Sequence, residues 1–169
     1  MPKIIENPEQ RLLEEARRQI ETNGYASMTV RSVAGACSIG IGTVYNYFPS
    51  KEAMVAAYIL KDWEMCLAAI RSVSEAAGDA EPLLRCIYDE LKRFSDLHRA
   101  VFQDETAASG FGGVFRKYHV LLRAQLAEPL RKFCSSDFSA EFIAEALITW
   151  SLSGKDYDEL SAVFTKLFS

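Results

Sequence analysis

The side chains best suited to recognition chemistry lie in one stretch, Gly-Thr-Val-Tyr-Asn-Tyr-Phe-Pro-Ser-Lys, from Gly42 to Lys51. Thr43, Tyr45, Asn46 and Tyr47 offer hydroxyls and an amide with no charge among them. Such groups donate and accept hydrogen bonds at neutral pH without changing protonation state. They suit the reading of a polar surface better than the making of bonds. Val44 and Phe48 share another face at i, i+4, so the stretch reads as a very short helix with one buried side. Pro49 stops it, because proline disfavours helical geometry in the residue before it. Ser50 is a good N-cap for the next helix. Two turns are not stable alone, so neighbouring helices must hold this one. A supported short helix that displays hydroxyls and an amide has the shape of a helix-turn-helix recognition element.

Charge is distributed in keeping with that shape. The chain has 169 residues and a net charge of −4, which by itself argues against nucleic acid. Yet from Thr22 through Lys51 there is no Asp or Glu, although 23 acids are spread over the rest, and Arg31 and Lys51 are the only charges in that window. A phosphate-facing surface must exclude carboxylates, because cation–phosphate contacts and counterion release supply much of the affinity.

Other chemistries find little support. There is no G-x-S-x-G elbow, Walker loop or H-E-x-x-H pair, so no enzyme is expected. Asp104 and Glu105 are adjacent helical positions that point apart and read as a solvated face. Gly110 to Gly113 lack a preceding strand and a lysine for cradling phosphate. Cys37, Cys66, Cys86 and Cys134 are scattered, with no C-x-x-C pair, and read as free thiols without metal or disulfide. No cofactor is expected. Neither a signal pattern nor an 18-residue apolar run is present, so the expectation is a soluble, cytoplasmic protein without membrane contact.

The elements that must position the recognition stretch can be read in order. Helix 1 is expected over 7–23, with Asn7 as N-cap, Pro8 at N1, and Leu13, Ala16 and Ile20 inward; Gly24 supplies the left-handed cap. Thr29 caps helix 2, in which Val30, Val33, Ala34 and Cys37 face the core. Ser38 to Gly40 form the turn, with Ile39 pinning it. Helix 4 should run over 51–77 and helix 5 over 82–98. A short helix 6 is expected over 100–108, a break at Gly110–Gly113, and helix 7 from 114 towards 133, kinked or shortened by Pro129. Helices 8 and 9 are expected over 139–152 and 157–168. His98, beside Arg99 at a helix end, reads as solvated.

The order Asn-Gly-Tyr, then Thr-Val-Arg-Ser-Val-Ala, then Gly-Thr-Val-Tyr-Asn-Tyr-Phe-Pro-Ser-Lys-Glu resembles the DNA-binding domain of the tetracycline-repressor (TetR) family over about residues 12–54. The resemblance implies an all-α fold of about nine helices. A three-helix helix-turn-helix domain (1–50) would be followed by a helical effector-binding and dimerisation domain (51–169). It implies a ligand-responsive transcriptional regulator, a repressor, that binds an inverted-repeat operator in double-stranded DNA as a homodimer and is released by a small, largely apolar effector. The alternative is an adaptor that keeps the fold without reading an operator. Carried over residue by residue, Thr29 and Arg31 meet phosphate, Arg31 at some matching positions a base edge. Ile41, Gly42, Thr43 and Asn46 face the major groove, where Asn46 can pair with adenine and Ile41 touch a thymine methyl. Tyr45, Tyr47 and Lys51 bond phosphates; the other role open to the tyrosines is packing helix 3 onto helix 1. The family has Gly where this chain has Ser38, and Ser or Thr where it has Gly40, so the turn departs from the usual pattern.

The family places an effector among helices 4 to 7, where Trp63, Cys66, Phe94, Phe102, Phe111, Phe115, Tyr118 and His119 are the candidate lining. His119, with Arg123 one turn on, could orient a polar end of the molecule. Helix 8 is apolar on nearly every side apart from the line Glu141, Glu145, Thr149, which exceeds what one core needs. Ala140, Ile143, Ala144, Leu147, Trp150, Leu160 and Phe164 on helices 8 and 9 are therefore the expected dimer contact.

Overall fold

The computed structural model describes residues 6–167, apart from the side chains of residues 110–117, 165 and 167. The described chain is helical, with α1 Pro8–Asn23, α2 Val30–Cys37, α3 Ile41–Tyr47, α4 Lys51–Ala76, α5 Glu81–Leu97, α6 Arg99–Phe102, α7 Glu105–Leu130, α8 Asp137–Leu152 and α9 Tyr157–Leu167. A 3-10 turn over Arg131–Phe133 follows α7. The all-α expectation holds, as do the starts and ends of α1 to α4 to within a residue.

Two compact units form. The first takes the chain up to Asp62 and then His98–Gly112; the second takes Trp63–Leu97 and the chain from Gly113 onward. The first unit is thus larger than the expected segment 1–50. Its core, Leu12, Ala16, Ile20, Met28, Val33 and Val44, also needs Met54, Val55 and Tyr58 of α4, together with Val101 and Ala107. In the second unit α8 and α9 pack on α5, around Ile70, Leu83, Leu84, Ile87, Leu126 and Leu130.

The expected boundaries of helices 6 and 7 are corrected here: α6 ends at Phe102 and α7 already begins at Glu105. The glycines at 110–113 do not break the chain, since α7 runs through them. Glycine costs about 1 kcal/mol in a helix interior but keeps its N–H, so the hydrogen-bond ladder survives. Pro129 does shorten the helix, which ends one residue later and tightens into the 3-10 turn. Asp104 has a further role that the sequence reading did not give it: it caps α7, accepting from the N–H groups of Thr106 at 2.9 Å and Ala107 at 3.1 Å.

His98 is buried, not solvated. Its Nε2 lies 3.0 Å from Asp62 Oδ2, which also accepts a hydrogen bond from Arg17 of α1. The Tyr58 and Phe102 rings flank the imidazole at 5.6 and 5.8 Å. Burial pushes the His98 pKa from its ordinary 6.5 down to about 4; Asp62 opposes that shift and Arg17 reinforces it. A neutral imidazole beside a carboxylate already paired with arginine is the arrangement that buries least net charge.

Candidate nucleic-acid interface

The recognition helix is fixed from both ends. Thr29 opens α2 with a reciprocal cap: its Oγ1 accepts from the Ser32 N–H at 3.0 Å, and Ser32 Oγ accepts from the Thr29 N–H at 3.1 Å. Ser32 Oγ also donates to Gln19 Oε1 at 2.6 Å, tying α2 to α1, a link the sequence pattern did not reveal. Gln19 in turn donates to Glu15, whose carboxyl is held down at about 2, chiefly by Arg18 and then by Gln19. At the turn, Ser38 sits in the left-handed region at φ 55, ψ 38, a conformation that favours glycine. The Ser38 and Ile39 N–H groups close the end of α2 on the carbonyls of Gly35 and Ala34, and Ile39 is buried.

Helix α3 follows with Gly40 as N-cap, in extended geometry. Val44 is fully buried and Phe48 is 4% exposed, and burial contributes roughly 1.5–3 kcal/mol for each such side chain. That anchors a helix too short to persist alone. Ile41, Gly42, Thr43, Tyr45, Asn46 and Tyr47 are all exposed, Tyr45 at 51%. The two tyrosines therefore do not serve as core packing against α1. Nothing lies within 4 Å of where a Cβ would stand on Gly42, so the fold itself does not require glycine there. The missing side chain leaves that part of the exposed face low. Arg31 is exposed on α2 beside this surface in sequence.

Lys51 departs from its expected place. It is half-buried, and its Nζ donates to the Tyr25 carbonyl at 2.5 Å and the Ala26 carbonyl at 3.4 Å. The ammonium stands 3.9 Å from the centre of the Tyr25 ring. The side chain is occupied within its own unit, where the ammonium makes charge-assisted hydrogen bonds to carbonyls at the start of the α1–α2 connection.

The candidate effector residues are distributed unevenly. In the second unit the Trp63 ring meets Phe94 edge-on at 5.4 Å, and its Nε1 donates to Gln125 Oε1 at 2.9 Å. Cys66 is buried, with Arg93 Nη2 at 3.5 Å from its sulfur. Tyr118 and His119 are half-buried. His119 Nε2 lies 2.9 Å from Glu145, and Arg123 lies 3.6 Å from Glu145 and 3.8 Å from Glu141. The polar pair thus meets carboxylates of α8. Phe102 belongs to the first unit, against His98. The side chains of Phe111 and Phe115 lie outside the described residues.

The expected dimer contact needs correction. Ala140, Ile143, Ala144, Leu147, Leu160 and Phe164 are at most 8% exposed, committed to the core of their own unit; only Trp150 is exposed. Among the described residues the remaining exposed large hydrophobic side chains of α8 and α9 are Phe138, Phe142, Leu152 and Val163. Cys37, Cys66, Cys86 and Cys134 form no disulfide, and among the described residues no group of three or more His, Cys, Asp or Glu could hold a metal. No described helix is long and apolar enough to cross a membrane.

Residues 12–58 match the family described as bacterial regulatory proteins, tetR family. The HTH-type transcriptional regulator UidR of Escherichia coli is 40% identical over 65 residues, 38% of this chain and 33% of that protein. The matched stretch thus spans a third of the length of that curated relative. Among solved structures, GusR of Salmonella enterica is similar over 98% of this chain and 96% of its own, with TM-score 0.64 and 21% identity. FadR of Bacillus subtilis, in complex with stearoyl-CoA, matches 94% of this chain and 95% of its own, with TM-score 0.55 and 17% identity. These two likenesses carry the fold; the N-terminal match carries the family. Residues 12–58 thus match the bacterial regulatory proteins of the tetR family, and the rest of the chain is matched in fold alone.

Proposed function

We propose that this protein is a cytoplasmic, ligand-responsive transcriptional repressor that binds an inverted-repeat operator as a homodimer. The observation that carries the reading is the surface of α3: six exposed neighbours of a buried Val44, all uncharged, within a window free of acids. Asn46 and Thr43 offer hydrogen bonds to base edges, and Ile41 offers apolar contact with a thymine methyl. Tyr45, Tyr47 and Arg31 bond the flanking phosphates, while Thr29 holds the start of α2 with its hydroxyl. Low relief at Gly42 lets the backbone approach the groove.

A second copy is the occupant that fits the outer face of α8. Phe138, Phe142, Ala146 and Trp150 follow one another at i, i+4, i+8 and i+12, and the three aromatics are 77, 52 and 43% exposed in turn. An isologous contact along this stripe, with Val163 of α9, matches a two-fold operator. The effector reading draws support from FadR, whose stearoyl-CoA complex shows a ligand in a protein of this fold. Trp63, Cys66 and Phe94 are the residues here that would meet an apolar molecule, and the mass of ligand released from purified protein would identify it.

The reading is tested by gel shift at moderate salt with wild-type-selected duplexes and excess random competitor. A complex that survives the competitor supports operator reading. Equal loss on selected and random duplexes would favour the adaptor.

A further inference from the structure

The cap of α2 is joined to α1 by a chain of hydrogen bonds that all point one way. Ser32 Oγ accepts from the Thr29 N–H at 3.1 Å and donates to Gln19 Oε1 at 2.6 Å. Gln19 Nε2 donates to Glu15 Oε1 at 2.8 Å, and Arg18 holds both oxygens of that carboxylate, at 2.6 and 2.8 Å. Gln19 is 9% exposed, and both ends of its amide are engaged. An ionised carboxylate can only accept, so Glu15 fixes which way round the amide sits and turns its oxygen to Ser32. The single Ser32 proton is thereby drawn towards α1. Its other acceptor within reach is the Thr29 carbonyl at 2.8 Å, which already closes the first turn of α2 on the Val33 N–H. On the outer side, Thr29 Oγ1 accepts from the Ser32 N–H at 3.0 Å, and among the described residues its own proton has no acceptor. Thr29 and Arg31 are exposed there.

We propose that Gln19 is a positioning residue for DNA binding: through Ser32 it fixes the start of α2, so that the Thr29 hydroxyl and the Arg31 guanidinium stand where they meet phosphates. The inference rests on the DNA-binding reading of this unit and extends it to a buried residue of α1 that itself touches no DNA. Each hydrogen bond in such a chain polarises the next, and the low dielectric around a buried amide strengthens both of its bonds. Arg18 offsets the Glu15 charge, so the chain ends in an ion pair and not in a bare carboxylate beside a phosphate surface. Apolar packing of Val30, Val33, Ala34 and Cys37 holds the length of α2. The Gln19 relay sets its phosphate-facing end.

The test uses the full chain, a duplex that the wild type enriches from a randomised pool, and a random duplex of equal length. Affinity for both is measured, at a temperature where circular dichroism shows each protein folded, for wild type, Gln19→Met, Ser32→Ala, Ser32→Thr, Thr29→Val and the Gln19→Met/Thr29→Val double variant. Amide exchange at Thr29 and Ser32 is followed in parallel. Methionine fills much of the space of glutamine and makes neither hydrogen bond. The relay predicts that Gln19→Met and Ser32→Ala each weaken binding to both duplexes alike, roughly fivefold, and that Ser32→Thr keeps most of the affinity. The Thr29 and Ser32 amides exchange faster in Gln19→Met, and the double variant is about as weak as Thr29→Val alone. A lower unfolding midpoint for Gln19→Met with wild-type affinity in the folded protein would make its role structural only and overturn the proposal. A loss confined to the selected duplex, or losses that multiply in the double variant, would overturn it too. If Gln19→Met does not fold, Ser32→Ala at its exposed position decides, and wild-type affinity there counts against the relay. If the wild type binds neither duplex, the DNA reading fails, and the exchange at Thr29 and Ser32 still decides whether Gln19 holds the cap.

Discussion

Ser38 occupies a left-handed conformation, φ 55, that costs an L-residue about 1 kcal/mol more than glycine. Ser38→Gly is therefore expected to raise the urea midpoint by an amount equivalent to up to about 1 kcal/mol; an unchanged or lower midpoint would show that the serine is not strained there. His98 makes a pH-dependent contribution of known sign. Its folded pKa, about 4, lies below the ordinary 6.5, so below 6.5 the unfolded chain takes up a proton that the folded chain refuses. Stability is full above pH 6.5 and is lost as the pH falls towards 4. Urea titrations of wild type and His98→Gln should diverge in that window, with the variant flatter; parallel curves would contradict the buried neutral imidazole. At the proposed DNA surface, Tyr47→Phe is expected to weaken binding about equally on all sequences if Tyr47 bonds a phosphate, since such a contact carries no sequence information. The exposure of Asn46 and Tyr47 was legible because hydroxyl and amide side chains flank an obvious apolar pair. The engagement of Lys51 and the burial of His98 were not, because a charged or titratable residue at a helix end looks the same in sequence whether a tertiary partner meets it or water does.

Among the helices, α8 shows how far a pattern can be read. Its surplus of apolar residues was plain, but a helix apolar on most sides does not say which side meets its own core. Packing on α5 settles that: Ala140, Ile143, Ala144 and Leu147 go inward, and Glu141 and Glu145 meet Arg123 and His119 of α7. Phe138, Phe142 and Trp150 are left outside. The consequence is a contrast between two substitutions. Trp150→Glu should give folded monomers with reduced operator affinity, whereas Ala144→Glu should unfold the second unit by burying an unpaired charge, at a cost of several kcal/mol. Sedimentation and circular dichroism separate the two; a dimeric Trp150→Glu protein would place the contact elsewhere. Helix α7 escaped the sequence reading for a related reason. Four residues containing three glycines lower helix propensity locally, but the cost is small against the packing of a helix anchored at both ends, by the Asp104 cap and by Leu126 and Leu130. The α1–α3 unit was read almost to the residue because caps, turn and apolar spacing agree there.

At the scale of the whole molecule, two-fold symmetry should appear in the DNA. Two equivalent α3 helices would read half-sites about 34–36 Å apart, or a multiple of that, in an inverted repeat. Effector and operator should weaken each other's binding by the same factor, a coupling typically worth 1–3 kcal/mol. Both statements depend on the central claim that the exposed face of α3 reads base sequence. The most direct measurement compares the duplexes enriched from a randomised pool by wild type and by Asn46→Ala. The account predicts that wild type enriches an inverted repeat and that the variant loses preference at one symmetry-related pair of positions while keeping the rest. Identical enrichment by the two proteins, or no enrichment by wild type, would contradict it.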